Sequence, residues 1–169
     1  MANTYTLISS ATVGAVPATS IDFTSIPSIY TDLVLKVSAR DTNAIYREIF
    51  LTINGSTANG TAKVLSGNGA TASSYNATRV EGIGYTNNST TTANTFTSVD
   101  FYIPNYAGST NKSFSADGVG ENNATTAYAE LTASLWSQTA AITSISVVLG
   151  AASTFAQYST AYLYGVKNA

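Results

Sequence analysis

Asp32-Leu33-Val34-Leu35-Lys36-Val37-Ser38-Ala39-Arg40 sets Leu33, Leu35, Val37 and Ala39 on one side of an extended chain and Asp32, Lys36, Ser38 and Arg40 on the other, with Val34 the one break in the alternation. A period of two is the mark of a half-buried β-strand. Downstream, Ile45 to Ile53 alternates Ile49, Leu51 and Ile53 against Glu48, Phe50 and Thr52. It closes on Asn54-Gly55, a pair that accepts positive φ. A tight turn is expected there. Further strands are expected at Tyr5 to Ser9, Ser20 to Phe23, Ala62 to Leu65, Arg79 to Tyr85, Phe96 to Ile103, Lys112 to Val119, Ala127 to Ser137, Ile142 to Leu149 and Thr160 to Val166.

Between these runs lie stretches rich in Gly, Asn, Ser and Thr: Gly55 to Gly60, Ser66 to Ala77, Thr86 to Thr95 and Gly120 to Thr126. They read as loops, with Thr86 to Thr95 a long exposed one. Good helix formers are scarce and β-branched and aromatic residues abundant, so the class is all-β. Short strands at this spacing make a sandwich or a barrel. No shift in composition marks a linker, and residues 1–169 read as a single domain. Within it, residues 1–16 are either a first strand or an extended N-terminal arm.

Composition narrows the chemistry. The 169 residues include only 9% charged side chains, against about 25% in an ordinary domain. Instead, 26 Thr, 21 Ser and 14 Asn wet the surface. With a net charge of −2, neighbouring copies repel one another weakly, which favours association. There is no Cys and no His. Disulfides, thiolate nucleophiles, imidazole ligands and Ser-His-Asp triads are thereby excluded. The seven cations are scattered and outnumbered by nine acids, so neither nucleic acid nor an anionic membrane is an expected partner. Met1 to Ser10 lacks the basic and apolar regions of a signal peptide.

Paired carboxylates are the acid–base apparatus that remains, with Asp100, Asp117, Glu121 and Glu130 the candidates for glycoside chemistry. Surface solvation is the plainer account of them, and no catalytic residues are assigned. Asp117-Gly118-Val119-Gly120-Glu121-Asn122-Asn123 offers oxygen ligands for Ca²⁺, though without EF-hand spacing; a turn that uses Asn and Asp for positive φ is the plainer account. No metal and no cofactor is therefore expected. Gly82-Ile83-Gly84 and Gly67-Asn68-Gly69 lack the companions of a phosphate loop.

The aromatics stand out, with 11 Tyr, 6 Phe and one Trp. Strand parity turns Tyr102, Tyr128, Trp136, Tyr162 and Tyr164 outward, as interface anchors, as cross-strand packing or as surfaces that stack on sugars. In Ala127 to Trp136, the same parity sets Ala127, Ala129, Leu131, Ala133 and Leu135 inward, where small residues let a second sheet approach. Tyr128, Glu130, Thr132, Ser134 and Trp136 are then outward.

Ile21 to Leu33 (IDFTSIPSIYTDL), Val34 to Arg40, Asn54-Gly55-Ser56, Ser74-Tyr75-Asn76, Ile103-Pro104-Asn105-Tyr106 and Ala161 to Val166 (AYLYGV) together resemble a family of small tailed-bacteriophage virion proteins. That resemblance implies an antiparallel β-sandwich of jelly-roll type with about eight to ten strands. It also implies a non-enzymatic role, as a homotrimeric decoration (cement) protein bound to the major capsid protein or as a tail-fibre or tail-tip domain that recognises a host surface glycan. The expected location is the virion, after synthesis in the host cytoplasm and release by lysis. One compact domain without a shaft favours the head over the tail.

Overall fold

A computed structural model describes residues 4–167 of the chain. Twelve strands form: β1 (Tyr5–Thr12), β2 (Ser20–Phe23), β3 (Asp32–Ala39), β4 (Ile49–Ile53), β5 (Gly60–Gly67), β6 (Ala72–Ala77), β7 (Val80–Ile83), β8 (Thr97–Pro104), β9 (Lys112–Glu121), β10 (Ala127–Trp136), β11 (Ile145–Leu149) and β12 (Thr160–Val166). All pair antiparallel, in an eight-stranded sheet of order β1-β12-β3-β8-β9-β10-β5-β6 and a four-stranded sheet of order β2-β11-β4-β7. Tyr5–Thr12 lies against β12 as an edge strand, with a bulge between Leu7 and Ser9.

The two sheets pack over an apolar interior. Leu33, Leu35, Val37, Phe101, Ile103 and Leu163 of the large sheet meet Phe23, Ile49, Leu51, Ile53, Ile145 and Val147 of the small one. These are the residues that period-two alternation points inward. Asn54 and Gly55 both take positive φ, and Ile53 and Ser56 exchange backbone hydrogen bonds of 2.9 and 3.0 Å across them. The expected turn is therefore built. Asn54 also accepts from the Thr143 and Ser144 N–H groups at 2.8 and 3.1 Å, which ties the turn to the entry of β11.

Four expectations are corrected. Twelve strands replace eight to ten, and part of the difference is β6, which forms a hairpin with β5 inside the polar stretch Ser66 to Ala77. Its side chains are almost all exposed, so no buried face advertises it. Second, Asp117 to Glu121 is the end of β9 and not a turn. Gly118 is needed there for packing, because a Cβ would stand 2.6 Å from Ile83.

Third, the stretch Thr86 to Thr95 is a loop, but Thr86, Asn87, Asn88 and Thr91 are buried. Arg40 reaches in from the end of β3 and donates to the carbonyls of Thr92 at 2.7 Å, Thr95 at 2.9 Å and Thr91 at 3.2 Å. From the other side Glu121 accepts from the Thr92 N–H at 2.9 Å and the Thr95 hydroxyl at 2.8 Å. Burial pushes the Glu121 carboxyl up, but the Asn123 N–H and the threonine donors outweigh it and hold it below the ordinary range. The low-complexity run is thus clamped between one cation and one anion.

Fourth, β10 is turned over. Glu130, Thr132, Ser134 and Trp136 face inward, and Leu131 stands 56% exposed. The cause lies in the small sheet, which ends at β7 while the large sheet continues beneath it through β9, β10 and β5. β7 therefore presents an open edge to β10. Ser134 accepts from the Glu81 N–H at 3.2 Å and approaches the Glu81 carbonyl at 3.1 Å, and Thr132 donates to the Gly82 carbonyl at 2.6 Å. An unpaired buried backbone group is destabilising, so the hydroxyl face turns in to satisfy the edge.

Candidate functional site

The outer face of the large sheet is crossed by rows of paired residues. One row runs Tyr164, Val34, Tyr102, Ser115, Ala133, Lys63; the next runs Tyr162, Lys36, Asp100, Asp117, Leu131, Leu65. The face thus has a tyrosine end, a charged middle and a leucine end. At the tyrosine end the Tyr102 hydroxyl donates to Asp32 at 2.7 Å, and the rings of Tyr5 and Tyr164 meet edge to face at 6.5 Å. In the middle Lys36 pairs with Asp100, whose hydrogen bond holds the ammonium above its usual range. At the far end Leu65 (59%), Val119, Leu131 and Leu135 are all exposed. Among the described residues no other layer covers them.

Three of the five tyrosine and tryptophan candidates, Tyr102, Tyr162 and Tyr164, share this face. Trp136 does not: it is only 5% exposed, turned inward with the rest of its strand, and lies 5.7 Å from the buried ammonium of Lys112. Tyr128 sits elsewhere too, stacked on Tyr85 at 4.5 Å and edge-on to Tyr46 at 5.7 Å.

That tyrosine cluster borders a cleft of about 530 Å³ lined by Tyr46, Arg47, Glu48, Tyr75, Asn76, Ala77, Thr78, Arg79, Glu81, Gly84 and Tyr85. Its floor comes from β7 and the residues after it, one wall from the exposed hairpin strand β6, and the other from the segment entering β4. Arg79 lies 4.4 Å over the Phe50 ring, donating to Glu48 at 2.7 Å and to the fully buried Glu81 at 3.3 Å. Tyr75 donates to the other Glu81 oxygen at 2.6 Å. Burial pushes the Glu81 carboxyl up, while the Tyr75 hydrogen bond and Arg79 pull it back in part. Burial and the Glu81 contact together raise the Tyr75 phenol strongly.

Beneath Gly84 lies Glu130, which accepts from the Gly84 N–H through Oε2. Its Oε1 is buried and has no hydrogen-bond partner. Burial raises this carboxyl as well. A Cβ on Gly84 would stand 2.6 Å from the Tyr75 hydroxyl, so a side chain there would displace the tip of Tyr75.

The four carboxylates taken from the sequence do not converge. Asp100 and Asp117 face out, Glu121 clamps the Thr-rich loop, and Glu130 is buried beneath Gly84. Among the described residues no group of three His, Cys, Asp or Glu is placed to hold a metal ion. Glu48, Arg79 and Glu81 were not expected as a unit. The available signal was Glu81 in a four-residue strand otherwise made of Val, Gly and Ile, with Arg79 just before it: a carboxylate in so small and apolar a strand needs a cation nearby. Compared with known proteins, the chain matches no family model, no curated protein and no solved structure.

Proposed function

We propose that this protein is a non-enzymatic virion structural protein of the head-decoration (cement) type, a sandwich of jelly-roll topology that docks on an assembled shell by the outer face of its large sheet. The topology is supported by nested pairing: β1 with β12, β2 with β11, β3 with β8 and β4 with β7. These eight strands take the orders β1-β12-β3-β8 and β2-β11-β4-β7. The β5–β6 and β9–β10 hairpins extend the first of these two layers.

The observation that carries the docking role is the leucine end of the outer face, where Leu65 and Leu131 stand directly opposite one another in the sheet and point into solvent. Contiguous exposed apolar surface on a folded domain marks an interaction site. Low net charge suits dense packing, and the tyrosine end offers amphipathic anchors with little side-chain entropy to lose. Copies that bind the assembled shell and not its separated subunits stabilise it by mass action. Contacts among three copies and with the major capsid protein share this face between them.

The experiment compares particles with and without the protein under heat and osmotic shock, and repeats it with a Leu65→Lys, Leu131→Lys double variant. Loss of resistance in both cases is expected. Particles that resist equally without the protein overturn the reading.

A further inference from the structure

We propose that β6 is a pairing edge, at which a second copy of this chain adds its own β6 antiparallel about a two-fold axis. The contact is made by backbone at the rim of the large sheet and does not depend on docking by the outer face. A sheet edge carries a row of open N–H and C=O groups, and folded proteins blunt such edges with short strands, bulges, charges or covering groups. Three of the four edges in the two sheets are blunted. β7 is met by the hydroxyls of Thr132 and Ser134, β1 carries the bulge between Leu7 and Ser9, and β2 has only four residues with the exposed acid Asp22 among them. β6 has none of these devices among the described residues. It ends the large sheet, its stretch Ala72-Ser73-Ser74-Tyr75-Asn76-Ala77 includes no charge and no proline, and its register against β5 runs without a bulge.

The register fixes which groups are open. In an antiparallel ladder, successive residues turn their N–H and C=O alternately toward one neighbouring strand and the other. Across the hairpin turn the Asn68 N–H donates to the Thr71 carbonyl at 3.2 Å, and at the other end of β5 the Ser137 N–H donates to the Asn59 carbonyl at 2.8 Å. Followed along the strands, both contacts turn Ala62, Val64 and Ser66 toward β6, and Thr61, Lys63 and Leu65 toward β10. Ser73, Tyr75 and Ala77 are therefore engaged by β5, while Ala72, Ser74 and Asn76 direct their N–H and C=O away from the sheet. A copy turned about Ser74 sets that residue against itself and Ala72 against Asn76, and about six backbone hydrogen bonds close.

Three features fit a second copy as the added strand. β6 is uncharged, so no like charges meet across the axis. On the outer face Ser74 lies opposite Leu65, and Leu65 opposite Leu131. The axis therefore continues the row Leu131, Leu65, Ser74 into its own mirror order, and the two leucine ends join as one apolar band whose central leucines stand about 14 Å apart, three strand spacings. Finally, β7, the last strand of the small sheet, lies over β9, β10 and β5. β6 projects past it, which leaves room for a second β6 alongside. Such a contact is isologous and closes on itself.

The test is amide exchange of the ¹⁵N-labelled full chain at about 20 µM and about 1 mM, with light scattering to read the mass; the upper concentration allows for a strand pair smaller than a standard interface. At the higher concentration a two-copy mass is expected. Exchange at Ala72, Ser74 and Asn76 should slow at least about tenfold, while Ser73, Tyr75 and Ala77, already bonded to β5, change little. Ser74→Pro removes the central open N–H and leaves the ladder to β5 intact, and Ser74→Lys sets two like charges on the axis. Each is expected to weaken association at least about tenfold, with Ser74→Lys retaining the spectrum of the single copy. A single-copy mass at 1 mM, a three-copy mass with the Ala72, Ser74 and Asn76 amides still open, or association undiminished in Ser74→Lys each overturn the proposal. So does association that survives Ser74→Pro but is lost in the Leu65→Lys, Leu131→Lys variant, which is contact by the outer face.

Discussion

Thr132 donates its hydroxyl to the carbonyl oxygen of Gly82 at 2.6 Å, so the free edge of the small sheet ends on a side chain of the large one. With Ser134 acting on Glu81 one residue pair along, two hydroxyls do the work of a missing strand. Thr132→Val keeps the shape and removes the donor. It is expected to destabilise the chain by about 1–3 kcal/mol, or about 2–4 °C in Tm per kcal/mol for a chain of this size. Thermal denaturation followed by circular dichroism measures it, and an unchanged Tm refutes the edge-satisfaction account.

The reversed face of β10 yields a second contrast. Leu131→Ser removes an exposed side chain and is expected to alter stability by no more than about 0.5 kcal/mol. Leu35→Ala, in the middle of the interior, is expected to cost about 2–5 kcal/mol. Urea denaturation of the two variants side by side distinguishes them; comparable losses would place Leu131 inside after all.

These two cases show where the sequence is legible. Alternation in Asp32–Ala39 names its inward residues correctly because a full second layer lies over it and apolar burial alone decides the parity. In Ala127–Trp136 the second layer stops short, and the demand is for hydroxyls that satisfy a backbone edge. Apolar patterning then points the wrong way, and Trp136 and Glu130 go in with the threonine and serine. Asn54-Gly55 is readable because backbone φ is a local property. The union of Glu48, Arg79 and Glu81 is not, since Glu48 enters from another strand and only the register of β4 against β7 brings it near.

Stability should also depend on pH through Glu130. Burial raises its folded-state pKa, so its contribution is fully present below the ordinary carboxylate value of about 4.3 and is lost as pH rises through the raised value. Glu130→Gln preserves an acceptor for the Gly84 N–H and carries no charge. A higher Tm than the parent at pH 8 and no gain at pH 3 are expected. Glu121 has the opposite sign: its pKa is lowered, its contribution is present above the ordinary value, and it is lost as pH falls through the folded one. Glu121→Gln should therefore lower Tm at pH 7. Differential scanning calorimetry across the pH range reads both, and a Glu130→Gln effect that grows toward acid contradicts the assignment.

Arg40 clamps three carbonyls of a loop that composition alone would leave loose. Arg40→Ala is expected to destabilise by about 1.5–3 kcal/mol, the range for hydrogen bonds to a charged group. Locally it should accelerate amide exchange from Asn88 to Thr97 ahead of the rest of the chain. Exchange that speeds up uniformly would deny the loop its separate anchor.

Lys112 gives the molecule an internal reporter. Its ammonium is enclosed by the carbonyls of Gly108 and Ala140, each at 2.6 Å, and of Thr139 at 3.1 Å, and burial lowers its pKa. Lys36, Lys63 and Lys167 stand in solvent. An amine-acylating reagent at neutral pH should modify those three in the native protein and spare Lys112 until the chain opens. The ratio of modified to unmodified Lys112 peptide then gives the fraction of molecules that have opened, in solution or on any surface the protein coats, where optical probes of folding cannot reach.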